Sequence, residues 1–153
     1  NPHNIYKYAG LDSNNVRKCT AQMWFLLGVY HTNQLLHKMC KSKSSLCSSC
    51  QCEETISHMI LYCQQFSEIR QKFVSDLLEQ NANINNYLDN GKIIMVTFLD
   101  PESPSLPCEI SKEWKDLPKV YQLCRDFCWN IHAKKEKIKS IQNKTKSIEQ
   151  SGK

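Results

Sequence analysis

The segment Cys47-Ser-Ser-Cys50-Gln-Cys52-Glu-Glu-Thr-Ile-Ser-His58-Met-Ile-Leu-Tyr-Cys63 holds four cysteines and a histidine at metal-ligand spacing. Through Cys50 it reads Cys-x2-Cys-x7-His-x4-Cys. Two cysteines separated by two residues can turn both sulfurs toward one ion, and the His-x4-Cys half matches the second ligand pair of zinc fingers. The spacing therefore predicts one Zn2+ held by Cys47, Cys50, His58 and Cys63. Cys52 is the alternative to Cys50 as second ligand, and Cys50 is preferred because Cys-x2-Cys is the commoner knuckle. Ile56, Met59 and Ile60 stand at helical offsets, which puts His58 on a short helix and Cys63 past its last regular turn. One ion would tie a loop to a helix. The competing readings are unrelated buried thiols, which pack as small hydrophobes, and a disulfide staple. An odd total of nine cysteines without a signal peptide argues against a secreted disulfide framework.

The 153 residues have room for one ordinary domain, or for a small core with appended segments. The chain has four glycines and neither Gly-x-Gly-x-x-Gly nor Gly-x4-Gly-Lys-Ser/Thr, so a nucleotide cofactor is not expected. No apolar run approaches the ~18 residues of a membrane span, and no basic stretch followed by an apolar one opens the chain. These features point to a soluble, intracellular protein of the nucleus or cytoplasm with no membrane partner. The first residue is Asn1 and not Met, as in a piece of a longer or processed polypeptide.

The formal charge of +5 is unevenly spread. Residues 1–45 carry 6 Lys/Arg against 1 Asp/Glu, residues 46–118 carry 5 against 11, and residues 119–153 carry 9 against 3. Basic ends flank an acidic middle, a pattern suited to a polyanion contacted from the ends.

Periodicity reads as an all-α, mostly helical fold with one small zinc knuckle, irregular loops rich in Asn and Pro, and a long basic C-terminal helix. Residues 1–11 form a lead-in. A helical zinc-knuckle domain spans 12–80, opened by Asp12 or Ser13 as N-cap, with Val16, Met23, Trp24 and Leu27 on one inward face and Gly28 as its stop. Thr32 caps a second helix that turns Leu35, Leu36, Met39 and Cys40 inward. Past Cys63, Phe66, Ile69, Phe73, Leu77 and Leu78 mark a helix to about Gln80. Residues 81–118 form a loop-rich connection; the apolar run 93–99 within it reads weakly as helix, and Pro-rich 100–107 reads as loop. Asp116 and Pro118 start the last element, 119–153, whose stripe Val120, Cys124, Phe127, Cys128 and Ile131 runs on into a basic tail.

Candidate contacts to nucleic acid are cations with interleaved aromatics: Arg17, Lys18, Tyr30, His31, Lys38, Lys41 and Lys43, then Lys134, Lys135, Lys137 and Lys139 in the tail. Trp24 occupies a core-facing offset and is expected inside, whereas Tyr30 and His31 lie in a turn and are expected outside. Cys124, Cys128 and His132 share a helical face, but at 1.5 Å per residue they span about 12 Å, too far for one tetrahedral ion. They read as core.

With these motifs in hand, the run Leu26-Leu-Gly-Val-Tyr-His-Thr-Asn-Gln-Leu-Leu-His37, followed by Cys47-x2-Cys50, Glu53-Glu54-Thr55-Ile56-x-His58 and Cys63, resembles the zinc-binding region C-terminal to the reverse transcriptase of non-LTR retrotransposons. The likeness covers roughly residues 15–75; Leu99-Asp-Pro101 and Arg125-Asp-Phe-Cys-x-x-Ile-His132 are a less specific echo of the trailing helices. The resemblance implies Zn2+ ligands at Cys47, Cys50, His58 and Cys63, on an element that helps hold template RNA or target DNA beside upstream reverse-transcriptase domains of the same polypeptide. Cys52 departs from the family pattern. The resemblance also implies no catalysis by this piece: a polymerase needs paired aspartates for its metal ions, and Tyr87-Leu-Asp-Asn90 offers one carboxylate. The alternatives are a zinc-knuckle protein-interaction module and a decayed retroelement remnant.

Overall fold

Asp12 accepts a hydrogen bond from the Asn14 backbone N–H and starts α1 (Ser13–Leu26) as its N-cap. The chain is seen in a computed structural model that describes residues 4–90 and 97–152. α1 stops at Gly28, whose φ of +72° lies in the left-handed region, and the Val29 N–H reaches back to the Trp24 carbonyl at 3.0 Å. α2 (Asn33–Lys38) repeats both devices. Thr32 Oγ1 accepts from the Leu35 N–H at its start, and the Lys41 N–H bonds the Leu36 carbonyl at its end, with Cys40 at φ +57°. α3 (Ser67–Gln80), the single turn α4 (Cys108–Ser111) and α5 (Leu117–Ser151) follow in chain order. At the start of α5, Asp116 accepts from the Lys119 N–H, and Pro118 sits in the first turn, where no helical N–H partner exists. The fold is all-α, with no strand among the described residues.

α5 packs against α1 and α3. Its Val120, Cys124, Phe127, Cys128 and Ile131, three and four residues apart, are buried, and Phe127 stacks on Phe73 of α3 with ring centroids 4.1 Å apart. Each such large side chain removed from water contributes about 1.5–3 kcal/mol. The same core takes in Phe25, Tyr30, Met59, Ile60 and Phe66, and from the 81–118 region Ile84, Phe98, Leu99, Leu106 and Ile110. That region is pinned by its polar groups as well. Asn81 Nδ2 donates to the Glu109 and Ile110 carbonyls at 3.1 and 3.2 Å, Cys124 Sγ to the Phe98 carbonyl at 2.9 Å, and Trp114 Nε1 to the Pro101 carbonyl at 3.0 Å. Phe98 and Leu99 lie in a turn, and residues 93–96 of the expected apolar helix lie outside the described residues.

The inward face of α1 differs from the one its apolar spacing predicts. Val16, Trp24 and Leu27 are exposed; Cys19, Ala21, Gln22 and Phe25 are buried. The cause is that α1 has neighbours on more than one side. Ile5 and Ala9 of the lead-in form a small cluster with Cys19 and Tyr121, and Gln22 is drawn inside to donate to the Leu99 carbonyl. A buried carbonyl without a partner is costly, so a glutamine that supplies one displaces an apolar side chain from that position. α2 is corrected too: it buries no residue fully, and Met39 and Cys40 are exposed, because six residues lying on the surface have no second layer above them.

Candidate metal centre

The knuckle begins as a turn closed on itself. Leu46 and Glu53 form an antiparallel bridge, the Cys47 N–H donates to the Cys52 carbonyl at 2.7 Å, and the Gln51 N–H to the Cys47 carbonyl at 3.0 Å. Gln51 follows Cys50 at φ +56°, a left-handed conformation that strains any residue with a Cβ. Replacing Gln51 by Gly is expected to relieve about 1–2 kcal/mol of strain, against about 0.5–1 kcal/mol of added chain entropy, for a net gain of up to about 1.5 kcal/mol. The readout is a higher denaturant midpoint at unchanged slope. A lower midpoint would show that the Gln51 side chain contributes more than its backbone strain costs.

The second ligand pair needs a special turn. Five residues of α-helix rotate by ~500°, which would leave His58 and Cys63 about 140° apart around the axis. His58–Tyr62 is instead a π-type turn, and the Cys63 N–H bonds the His58 carbonyl five residues back at 2.7 Å. The wider turn returns Cys63 to the side of His58. Arg70 of α3 supports it by donating to the carbonyls of Ile60 at 2.7 Å, Cys63 at 3.0 Å and Met59 at 3.3 Å. Sequence reasoning missed Arg70, since nothing in its spacing marks it as the partner of those carbonyls.

One ligand atom from each of Cys47, Cys50, His58 and Cys63 lies within 4.8 Å of all the others. Cys47 Sγ is 3.8 Å and Cys50 Sγ 4.0 Å from Cys63 Sγ. Two sulfurs each ~2.3 Å from a tetrahedral ion stand about 3.8 Å apart, so these side chains are spaced as co-ligands. Cys47, His58 and Cys63 are buried and Cys50 half-buried; the group could hold a metal ion. Cys52 stands outside it, exposed, with its Sγ 3.4 Å from His58 Nδ1 and 3.8 Å from Nε2. Burial, reinforced by Cys47, pushes the Cys63 thiol up to about 12, while a hydrogen bond from the Gln64 backbone lowers that of Cys50. Burial also holds His58 below its ordinary value, favouring the neutral imidazole that ligates metals. An ion entering this group would displace protons from the thiols.

Several residues expected at a nucleic-acid surface are used inside the fold. Tyr30 is buried at 4 % exposure, stacked on Phe25 with centroids 4.1 Å apart, and its hydroxyl is 2.8 Å from His132 Nδ1. Trp24, expected inside, is 40 % exposed. The Gly28 turn folds Tyr30 back onto α1, where it takes the core position. Lys135 is buried as well: its Nζ donates to Glu54 and to the His31 carbonyl, and Glu54 Oε1 also accepts from the Asn33 N–H at 2.8 Å. It is four residues beyond Ile131 on the buried stripe of α5, which carries it under the α1–α2 turn. Lys134 donates to the Gln65 carbonyl just past Cys63, and Lys18 pairs with Asp126 at 2.9 Å. Arg17, His31, Lys38, Lys41, Lys43 and Lys137 are exposed, and Lys139 partly so. Cys124 and Cys128 pack in the core, and among the described residues the knuckle is the one group of three or more possible ligands.

Comparison with models of protein families, with curated proteins and with solved structures finds no match to this chain. Among the described residues, no helix is long and apolar enough to cross a membrane.

Proposed function

We propose that this chain is a zinc-stabilised, non-catalytic appendage that follows the polymerase domains of a retroelement reverse transcriptase inside the cell and contacts RNA or target DNA. For the metal, three thiols and an imidazole whose ligand atoms all lie within 4.8 Å of one another are a donor set that suits zinc. For the nucleic acid, the observation that carries the reading is the far end of α5. Every residue from Ser140 to Ser151 is exposed, so the helix extends about 18 Å at 1.5 Å per residue beyond its last packed turns. Lys137, Lys139, Lys144 and Lys146 lie on or beside that extension, with Glu136, 4.0 Å from Lys139, as a weak ion-pair partner. A cationic rod of this kind meets phosphates and not base edges.

Replacing Lys137, Lys139, Lys144 and Lys146 together with Gln is expected to weaken binding to RNA and single-stranded DNA alike. It should also flatten the slope of log affinity against log salt by about three, at roughly 0.7–0.9 for each phosphate no longer neutralised. Lys134 and Lys135 are left out of the variant because their amines tie α5 to the knuckle region. Equal affinity and equal slope for variant and parent would end the nucleic-acid reading. A second reading rests on Ile141 and Ile148, 56 % and 70 % exposed on the same extension, which would suit docking of a protein surface such as the upstream domains. Association that is insensitive to salt, and lost when both isoleucines become Ser, would favour it.

A further inference from the structure

Away from the knuckle, the end of α1 with the turn that follows it and the middle of α5 enclose a cavity of about 530 Å³. Small-ligand sites occupy about 300–1,000 Å³, so the space is of useful size. Trp24, Val29, His132, Glu136 and Lys139 are among its walls. Tyr30 lines it as well, with its hydroxyl 2.8 Å from His132 Nδ1. The imidazole is held among three rings, those of Trp24, Tyr30 and Trp129, at centroid distances of 5.6, 5.6 and 5.5 Å. Trp24 is the aromatic presented outward. It is 40 % exposed and meets Tyr30 at 49° and His132 at 76°, so neither ring stacks on it. Glu136 and Lys139 also line a second groove, which runs on along α5 past Ser140, Asn143 and Lys144 at steps of three and four residues, on one face of the helix.

We propose that this cavity receives one unstacked base of a single-stranded nucleic acid, laid against Trp24, while the adjoining phosphates follow the lysines of α5. The proposal rests on the nucleic-acid reading above and adds to it a site for a base. An indole face accepts any base, because every base has a π-face. The Glu136 carboxylate can accept from the amino or imino hydrogens on a base's Watson–Crick edge, whereas it repels a phosphate. The cavity therefore suits a base, and the groove beyond it suits the backbone. Lys139 stands where the two meet. At 4.0 Å from Glu136 it is too far for a hydrogen bond, which leaves its amine for a phosphate. A base stacked inside a duplex could not reach Trp24, so the site selects single strands.

The test measures binding of the full chain to two probes of about ten nucleotides, a mixed-sequence single strand and an abasic strand of the same length and charge. Trp24→Ala is expected to weaken binding of the base-bearing strand by about 5- to 150-fold, the loss of one base–aromatic stack, at an unchanged salt slope because no phosphate contact is removed. It should bind the abasic strand as the parent does, and Trp24→Phe, which keeps a ring, should recover most of the loss. A merely structural role for Trp24 would weaken both strands alike and overturn the assignment. Should Trp24→Ala not fold, the parent decides the matter without a variant: it is expected to bind the abasic strand more weakly by a similar factor, at the same salt slope. Equal affinity of the parent for both strands would overturn the base site, mark Trp24 and Val29 as a surface for protein, and leave the reading of the lysines standing. Absence of salt-dependent binding to either strand would overturn that reading and the base site with it.

Discussion

Stripping the proposed zinc with a chelator is expected to unfold the knuckle and the helices it joins, with far-UV circular dichroism falling as the ion is released. The binding energy of a structural zinc, about 10–16 kcal/mol at neutral pH, is at the same time folding energy, and it is as large as the whole stability of a typical domain. Here the coupling is direct. Cys47 and Cys63 belong to the main hydrophobic core, in one cluster with Phe66, Phe73 and Phe127, so loss of the proposed ion would leave crowded thiols in an apolar setting. Exchanging Cys47 or Cys63 for Ser should each abolish stoichiometric zinc, as measured by elemental analysis. Cys52→Ser should leave it bound. Folded protein that retains its circular dichroism without zinc would show that the cluster is a set of packed thiols and not a metal site.

Replacing Lys135 by Met is expected to cost about 3–5 kcal/mol, the loss usual when one partner of a buried ion pair is removed and the other stays charged. Both side chains of the Lys135–Glu54 pair are 6 % exposed, and the pair joins α5 to the knuckle and to the first turn of α2. Burial lowers the Lys135 ammonium from its ordinary value, and the hydrogen bond to Glu54 opposes that shift. Changing both partners to residues of similar shape, Lys135→Met with Glu54→Gln, should recover much of the loss. No unpaired charge is then left, and the amide oxygen of the new glutamine can still accept from the Asn33 N–H. Chemical denaturation of the single and double variants measures it. A single-variant loss under about 1 kcal/mol would place the pair in the class of solvent-screened surface bridges.

Asp12, Thr32 and Asp116 could be read as helix starts because a cap is made between a side chain and an N–H two or three residues away. The grouping of Cys47, Cys50, His58 and Cys63 was legible for a similar reason, since ligand spacing is a property of one short segment. The buried stripe of α5 through Ile131 was legible from its period. In each case partner and signal lie close together along the chain.

The tertiary structure decided the rest. Tyr30 and Trp24 exchange their expected places because a turn at Gly28 brings one aromatic back over Phe25. Lys135 leaves the expected basic surface because Glu54, 81 positions away in sequence, meets it inside. Gln22 enters the core for a carbonyl at Leu99, and Arg70 braces the π-type turn from another helix. Cys52 comes to rest against His58 and apart from the close ligand group that includes Cys50, which spacing alone left open. What the sequence determines by itself is the set of local devices: caps, stops, ligand spacing and apolar period. Which polar or aromatic side chain is buried depends on which carbonyls, carboxylates and rings distant segments leave unpaired, and only the assembled fold brings those segments together.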